Sequence, residues 1–128
     1  MNSSAGLDAF EGQRYLNLET YRKTGRGVRT PVWFAAAPAS AGGWKLYVYS
    51  TADSGKAKRI RRTGVVKIAP CNARGRVTGS WVAAYAVIVG AEEFARGMQL
   101  LNRKYRPWKQ ILDLFARHER VMFAIRPA

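Results

Sequence analysis

The stretch from Tyr49 to Arg62, YSTADSGKAKRIRR, holds the residues best suited to bind a phosphate group. Ser54 suits the N-cap of a helix formed by GKAKRIRR, and Asp53 before it would offset the positive end of the helix dipole. The unpaired N–H groups at a helix start bind anions, and the hydroxyls of Ser50, Thr51 and Ser54 would add neutral donors. We therefore predict an anion site at the point where a strand runs into this helix.

Basic residues cover two faces of the same predicted helix. Lys56 and Arg59 are three positions apart, which predicts that they share one face, while Lys58 shares another with Arg61 and Arg62. One face would hold a phosphate group while the other meets solvent. The alternative is a solvated basic surface helix, because runs of charge are usually solvated.

Side chains for conventional catalysis are few. His118 is the single histidine and Cys71 the single cysteine, so the sequence predicts neither a multi-histidine metal site nor a zinc ribbon. There are only 8 carboxylates, and neither a Walker loop nor a GxGxxG motif occurs. We therefore predict no catalytic residue and no metal ligand in the protein, and expect a cofactor to supply the reactive atom.

Length and charge limit the possible classes of protein. The chain has 128 residues, of which 48% are hydrophobic, as expected for one globular domain. Lys and Arg outnumber Asp and Glu by 22 to 8, and the net charge of +14 favours an anionic ligand or partner. No stretch is long and apolar enough for a membrane span, and no secretory signal is recognisable. A reduced single cysteine fits a cytoplasmic location.

The order of the predicted elements favours an antiparallel barrel. Strands are expected in six segments, RYLNLETY, VRTPVWFAAA, WKLYVYST, VVKIAPC, RVTGSWVAAYAVIV and RVMFAIRP. Helices are expected after Ser54, from Gly90 to Lys104, and in PWKQILDLFARH. This β-β-β-α-β-β-α-α-β order lacks the βαβ rhythm of a doubly wound sheet. We predict a mainly β, α+β domain over residues 14–128, preceded by a loose N-terminal arm over residues 1–13.

Four segments together resemble a known family: TYRKTGRGVRTPVWF, LYVYSTADSGKAKRIRR, VVKIAPCNARGRVTGSWV and LLNRKYRPW. They look like the deazaflavin-dependent branch, group B, of the pyridoxamine-phosphate-oxidase-like flavin/deazaflavin oxidoreductases. The likeness covers about residues 14–127. It implies an FMN-binding type of split β-barrel with about six antiparallel strands and short helices packed outside. It also implies a homodimer with two cofactor sites at the subunit interface, and coenzyme F420 as a two-electron hydride carrier.

The resemblance also implies roles for particular residues. Thr30, Pro31, Val32 and Trp33 would run along the deazaflavin ring. The phosphate and the acidic tail of the cofactor would be held by Ser50, Thr51, Ser54, Lys56, Lys58 and Arg59. The turn that includes Arg76, Thr78 and Gly79 would close the site, from the same subunit or its partner. Tyr105 and Trp108 would line the substrate side, with ordinary helix packing as the alternative for both.

Three functions remain open from the sequence. The first is an F420-dependent reductase that acts on a small unsaturated or conjugated substrate. The second is an FMN-binding oxidase or flavin-binding protein on the same barrel, because relatives of this fold bind FMN or haem. The third, disfavoured by the resemblance, is a basic module that binds single-stranded nucleic acid through its cations and aromatic rings.

Overall fold

A computed structural model of the chain describes residues 8–40, 43–106 and 119–128. Within them it contains seven strands and two helices, numbered here in chain order. The strands are β1 (Tyr15–Tyr21), β2 (Gly27–Val32), β3 (Ala35–Ser40), β4 (Gly43–Thr51), β5 (Val65–Cys71), β6 (Val82–Ile88) and β7 (Arg120–Pro127). The helices are α1 (Gly55–Arg62) and α2 (Ala91–Lys104). None of the helices in the described ranges is long and apolar enough to cross a membrane.

All seven strands belong to one antiparallel sheet in the order β2-β1-β5-β6-β7-β4-β3. The edge strands β2 and β3 are nevertheless consecutive, because only Trp33 and Phe34 separate them. Two connecting residues span at most roughly 11 Å. A flat sheet of this width would hold its edges roughly 29 Å apart. The sheet must therefore curl until its two edges approach each other at residues 33 and 34.

The inside of the curled sheet is the main hydrophobic core. Alternate residues of β1, among them Leu16 and Leu18, point inward and are fully buried, as are Leu46 and Ile68. Helix α1 adds Ala57 and Ile60 to the same cluster. The basic helix is thus anchored by its short apolar side, which leaves its cations at the surface.

A second core lies between α2 and the outer face of the sheet. Its buried members are Ala35, Tyr47, Leu101, Tyr105, Met122 and Ala124. Gly97 permits the close approach of α2, because a Cβ atom at this position would lie only 2.9 Å from Cε of Met122. Through this contact α2 is fixed against β7, and its C-terminal end lies beside the junction between β2 and β3.

Several sequence-based expectations require correction. The segment VRTPVWFAAA was expected to be one strand but forms two, since the chain moves from one sheet edge to the other. RVTGSWVAAYAVIV was expected to be a strand throughout, but only Val82–Ile88 forms one, and Val77 makes an isolated bridge with Cys71. Phe10, assigned to the loose arm, is 2% exposed and packs against Phe34. The helix PWKQILDLFARH lies outside the described residues.

Candidate functional site

The predicted capping residue Ser54 joins β4 to α1. Its side chain accepts a hydrogen bond from the backbone N–H of Ala57 at 3.1 Å, which confirms the predicted N-cap. Its oxygen also lies 2.9 Å from the hydroxyl oxygen of Ser50. The two hydroxyls therefore fix the corner at which the strand turns into the helix. Ser54 is committed to this corner, so its hydroxyl has less capacity left for a ligand than the sequence suggested.

An open cleft of about 330 Å³ lies where the end of β2, the end of β4 and the first turn of α1 meet. Its lining residues are Thr30, Pro31, Val32, Trp33, Tyr49, Ser50, Thr51, Lys56 and Arg120. The curl of the sheet thus brings together two of the segments singled out in the sequence, the strand end with TPVW and the corner with the serine, threonine and lysine. They are far apart in the sequence, and one concave surface unites them.

Lys56 is the cation that α1 contributes to this cleft. Burial lowers the pKa of its ammonium group, and the positive charge of Arg59 lowers it further. Both effects oppose the charged form. A bound anion would counteract burial and the charge of Arg59, because it would hydrogen-bond to the ammonium group and offset the neighbouring positive charge. The arrangement favours an anionic group near Lys56.

The indole of Trp33 packs against Tyr105, the residue that follows α2. It stacks on Tyr105 with ring centroids 4.7 Å apart and an angle of 11° between the planes. The Tyr105 hydroxyl accepts a hydrogen bond from the Phe34 N–H at 3.0 Å, and carbonyl acceptors of Arg14 and Phe34 lie at 2.7 and 2.8 Å. Tyr105 is 0% exposed and does not line the cleft, so its position favours the packing alternative over the predicted substrate contact. Tyr105 affects the cleft indirectly, by holding the Trp33 indole in position.

Lys104 adds a further contact at the same junction. Its ammonium group donates to the carbonyl oxygen of Phe34 at 2.8 Å and lies 3.5 Å from the centre of the Phe34 ring. Burial, with a smaller contribution from the charge of Arg14, lowers the pKa of Lys104 to about 8. Lys104 therefore contacts both the backbone and a side chain of the short connection between β2 and β3.

Two residues that line the cleft, Tyr49 and Arg120, were given no ligand contact, although Tyr49 begins the predicted phosphate-binding stretch. The guanidinium carbon of Arg120 lies 4.9 Å from the ring centre of Tyr49, which is a cation–π arrangement. Arg120 reaches the cleft because β7 pairs with β4, with Arg120 opposite Thr51. No local motif indicates this pairing. For Tyr49, its place two positions before Thr51 on an alternating strand was the available signal.

Lys58 and Arg59 do not line the cleft. They form a separate groove with Arg22, Lys23 and Arg62. Arg59 and Lys56 therefore line different concave surfaces, although the charge of Arg59 still lowers the pKa of Lys56. The buried side of α1, formed by Ala57 and Ile60, orients Arg59 toward the turn between β1 and β2, and Lys56 toward the cleft.

The turn that includes Arg76, Thr78 and Gly79 contributes no residue to the cleft lining, although a Cβ atom at Gly75 of the same turn would lie 3.5 Å from Cγ of Pro31. Its N–H groups are used locally: Thr78 donates to the Pro70 carbonyl at 2.8 Å, and Arg76 donates to the Asn72 side chain at 3.0 Å. Gly79 packs closely on β5, because a Cβ atom there would lie 2.6 Å from Cγ of Pro70. The role of this turn in closing a site stays a prediction. Trp108 lies outside the described residues.

Comparison with solved structures places this architecture among the split β-barrels. The heme storage protein HutZ of Vibrio cholerae matches with a TM-score of 0.69 at 15% identity, over 100% of this chain and 92% of that one. A FAD-binding protein of Mesorhizobium loti matches with a TM-score of 0.67 at 14% identity, over 100% and 91%. A conserved hypothetical protein of Mycobacterium tuberculosis matches with a TM-score of 0.69 at 21% identity, over 99% and 81%.

These likenesses establish the fold. The chain has the split β-barrel fold of the pyridoxamine-phosphate-oxidase-like proteins, a mostly antiparallel sheet curled into a half-barrel with helices packed on it. Comparisons with protein-family models and with curated proteins found no match. The predicted fold class is therefore confirmed, and the number of strands is corrected from about six to seven.

Proposed function

We propose that the cleft binds coenzyme F420 and that the protein is an F420-dependent oxidoreductase. It would transfer a hydride between the deazaflavin and a small unsaturated or conjugated organic substrate. One observation carries the proposal: a single cleft joins Trp33 and the end of β2 to the hydroxyls and the lysine of the β4–α1 corner. A cofactor with a flat ring and a phosphate group requires both of these surfaces.

The donor set fits the phosphate group. Lys56 offers an ammonium group, and Ser50 and Thr51 offer hydroxyls at the same corner. Burial of Lys56 and the nearby charge of Arg59 give an anion at this end an advantage over a neutral ligand. The phosphate of the cofactor is accordingly assigned to the end of the cleft at α1.

The other end of the cleft fits a flat heterocycle. Thr30, Pro31 and Val32 belong to an edge strand, whose outer backbone groups have no strand partner within the described chain. Such groups can bond the polar edge of a ring. Trp33 adds an aromatic surface that Tyr105 holds in place. These residues would orient the ring, and the cofactor itself would carry the hydride.

FMN is the second candidate cofactor. It also combines a flat ring with a phosphate group, and the Mesorhizobium loti protein with this fold is FAD-binding. The cleft residues serve either ring, so the choice of F420 rests on the sequence resemblance in the TPVWF and SGKAKR segments.

The activity can be tested with reduced F420 and a panel of conjugated acceptors, following the return of the fluorescence of oxidised F420. We expect enzyme-dependent oxidation with at least one acceptor, and no comparable oxidation of reduced FMN. Turnover with reduced FMN alone would replace the proposal with the flavin alternative.

We also propose that the protein is a homodimer. The described strands β5 and β6 leave Val65, Tyr85 and Val87 exposed, by 50%, 46% and 47% respectively. Val65 lies opposite Tyr85, and Val87 follows two positions later, so the three side chains share one face of the sheet. An exposed apolar group of this kind is typical of an interface, and a second copy of the chain is the occupant that the resemblance implies.

A further inference from the structure

A second concave surface lies on the side of α1 away from the cleft. This basic groove has a volume of about 230 Å³, and its lining residues are Arg22, Lys23, Lys58, Arg59 and Arg62. All five are cations, and no carboxylate lies among them. The groove shares no lining residue with the cleft. It is therefore a second, uniformly positive concave surface beside the cleft.

Hydrogen bonds to the protein fix two of the guanidinium groups. Arg59 donates from Nε to the hydroxyl oxygen of Thr20 at 2.6 Å, and Arg62 donates from Nη2 to the carbonyl oxygen of Tyr21 at 2.6 Å. Each of these bonds leaves other N–H groups of the same guanidinium available. The groove therefore resembles a preorganised site more than a set of freely moving surface cations.

The turn between β1 and β2 brings the remaining cations against α1. Gly25, with a φ of 90°, allows this turn, and its N–H donates to the carbonyl of Arg22 at 2.8 Å. Arg22 and Lys23 thus approach α1 from a different element. The charge of Arg22, after burial, lowers the pKa of Arg59, so the cations repel one another within the groove.

The ion pairs found in the described chain do not relieve this repulsion. They join Arg29 to Glu19 and Lys45 to Glu93, and neither includes a residue of the groove. A solvated basic helix would not require Arg59 and Arg62 to be fixed by protein acceptors, or Arg22 of another element to approach them. An anion between them would remove the repulsion.

We propose that the basic groove binds a compact phosphoryl anion, a phosphate monoester or a diphosphate, independently of the cleft. Three guanidinium groups and two ammonium groups suit phosphate oxygens, because guanidinium donates to them in a bidentate manner. The site goes beyond the proposed redox function, which uses the cleft. In this proposal Lys58 and Arg59 bind the phosphoryl anion, whereas the resemblance implied that they hold the phosphate and acidic tail of F420.

Calorimetric titration with inorganic pyrophosphate at fixed ionic strength tests the proposal without any redox cofactor. The variant Arg22→Gln/Lys23→Gln removes two groove cations from an exposed turn and spares the anchored Arg59. The control variant Arg103→Gln/Arg106→Gln removes two exposed cations from the end of α2 and the residues after it. We expect pyrophosphate affinity to fall about tenfold or more in the groove variant and less than about twofold in the control.

Two results would overturn the proposal. Equal losses in both variants would show that pyrophosphate responds only to the overall charge of the protein. Loss of pyrophosphate binding in Lys56→Gln, with binding unchanged in the groove variant, would place the anion in the cleft instead of the groove. Because the titration of the wild-type protein needs no F420, failure of the redox proposal leaves its result unchanged.

Discussion

Trp33 and Tyr105 form a stacked pair, 4.7 Å between ring centroids, that connects the cleft to the end of α2. Tyr105 has no exposed surface, whereas Trp33 lines the cleft. Because buried Tyr105 stacks on Trp33, the packed end of α2 fixes the position of the indole that would face the cofactor ring. The junction between β2 and β3, held by Tyr105, therefore keeps this end of the cleft in place.

Removing the hydroxyl of Tyr105 tests this support. In Tyr105→Phe the buried N–H of Phe34 loses its acceptor, which costs about 1–3 kcal/mol of unfolding free energy. The control Tyr15→Phe alters a half-exposed tyrosine at the start of β1, outside the proposed dimer face, and is expected to cost less than about 0.5 kcal/mol. Urea unfolding measures both, and F420 titration of the folded variants is expected to show weaker binding only in Tyr105→Phe. Unchanged F420 affinity in Tyr105→Phe would show that the hydroxyl is not needed to position Trp33.

Lys56→Gln tests the phosphate end of the cleft. A charge-assisted hydrogen bond contributes about 1.5–3 kcal/mol, so F420 affinity is expected to fall about 10- to 150-fold. Arg103→Gln removes one exposed positive charge from α2, away from the cleft, and is the matched control for overall charge. Equal affinities for Lys56→Gln and Arg103→Gln would contradict the assignment of the phosphate to Lys56.

Lys104 predicts a particular dependence of stability on pH. Its pKa is about 8 in the folded protein, against an ordinary value of 10.5, so the unfolded chain binds more protons between these values. Stability contributed by this group therefore rises as the pH increases from about 8 toward 10.5. The unfolding free energy of the wild type, relative to Lys104→Met, is expected to increase over that interval. A difference that stays constant from pH 7 to 10 would show that the ammonium group is not penalised by burial.

The exposed face of β5 and β6 predicts the oligomeric state. Tyr85→Lys places a charge in the middle of the proposed interface, and in a symmetric dimer the same charge enters from both copies. Light scattering is expected to give a dimer for the wild type and a monomer for this variant. Ala95→Lys, on an exposed position of α2, is expected to remain dimeric. A monomeric wild type would remove the dimer from the account.

Local sequence signals predicted much of the fold. Alternation identified β1, β-branched and aromatic residues identified β4, and Ser54 correctly marked the start of α1. The passage of the chain between sheet edges at Trp33 and Phe34 escaped prediction, because both strands have strand-like residues and no turn motif separates them. Only the order of strands in the sheet shows that they lie at opposite edges.

The site was predictable where its residues are consecutive in the sequence. The segments around Thr30 and Ser50, to which the resemblance assigns one cofactor, line one cleft. Arg120 escaped prediction because it reaches the cleft through pairing between distant strands. The separation of Arg59 from Lys56 also depends on tertiary structure, because helical spacing alone does not show which neighbour each face of α1 meets.

Binding of F420 in this cleft can be measured by equilibrium titration of the purified protein with F420 and, separately, with FMN. The absorbance and fluorescence of each cofactor report its binding. We expect saturable binding of F420 at micromolar concentration and weaker binding of FMN. Normal binding of FMN with no binding of F420 at that concentration would contradict the F420 proposal.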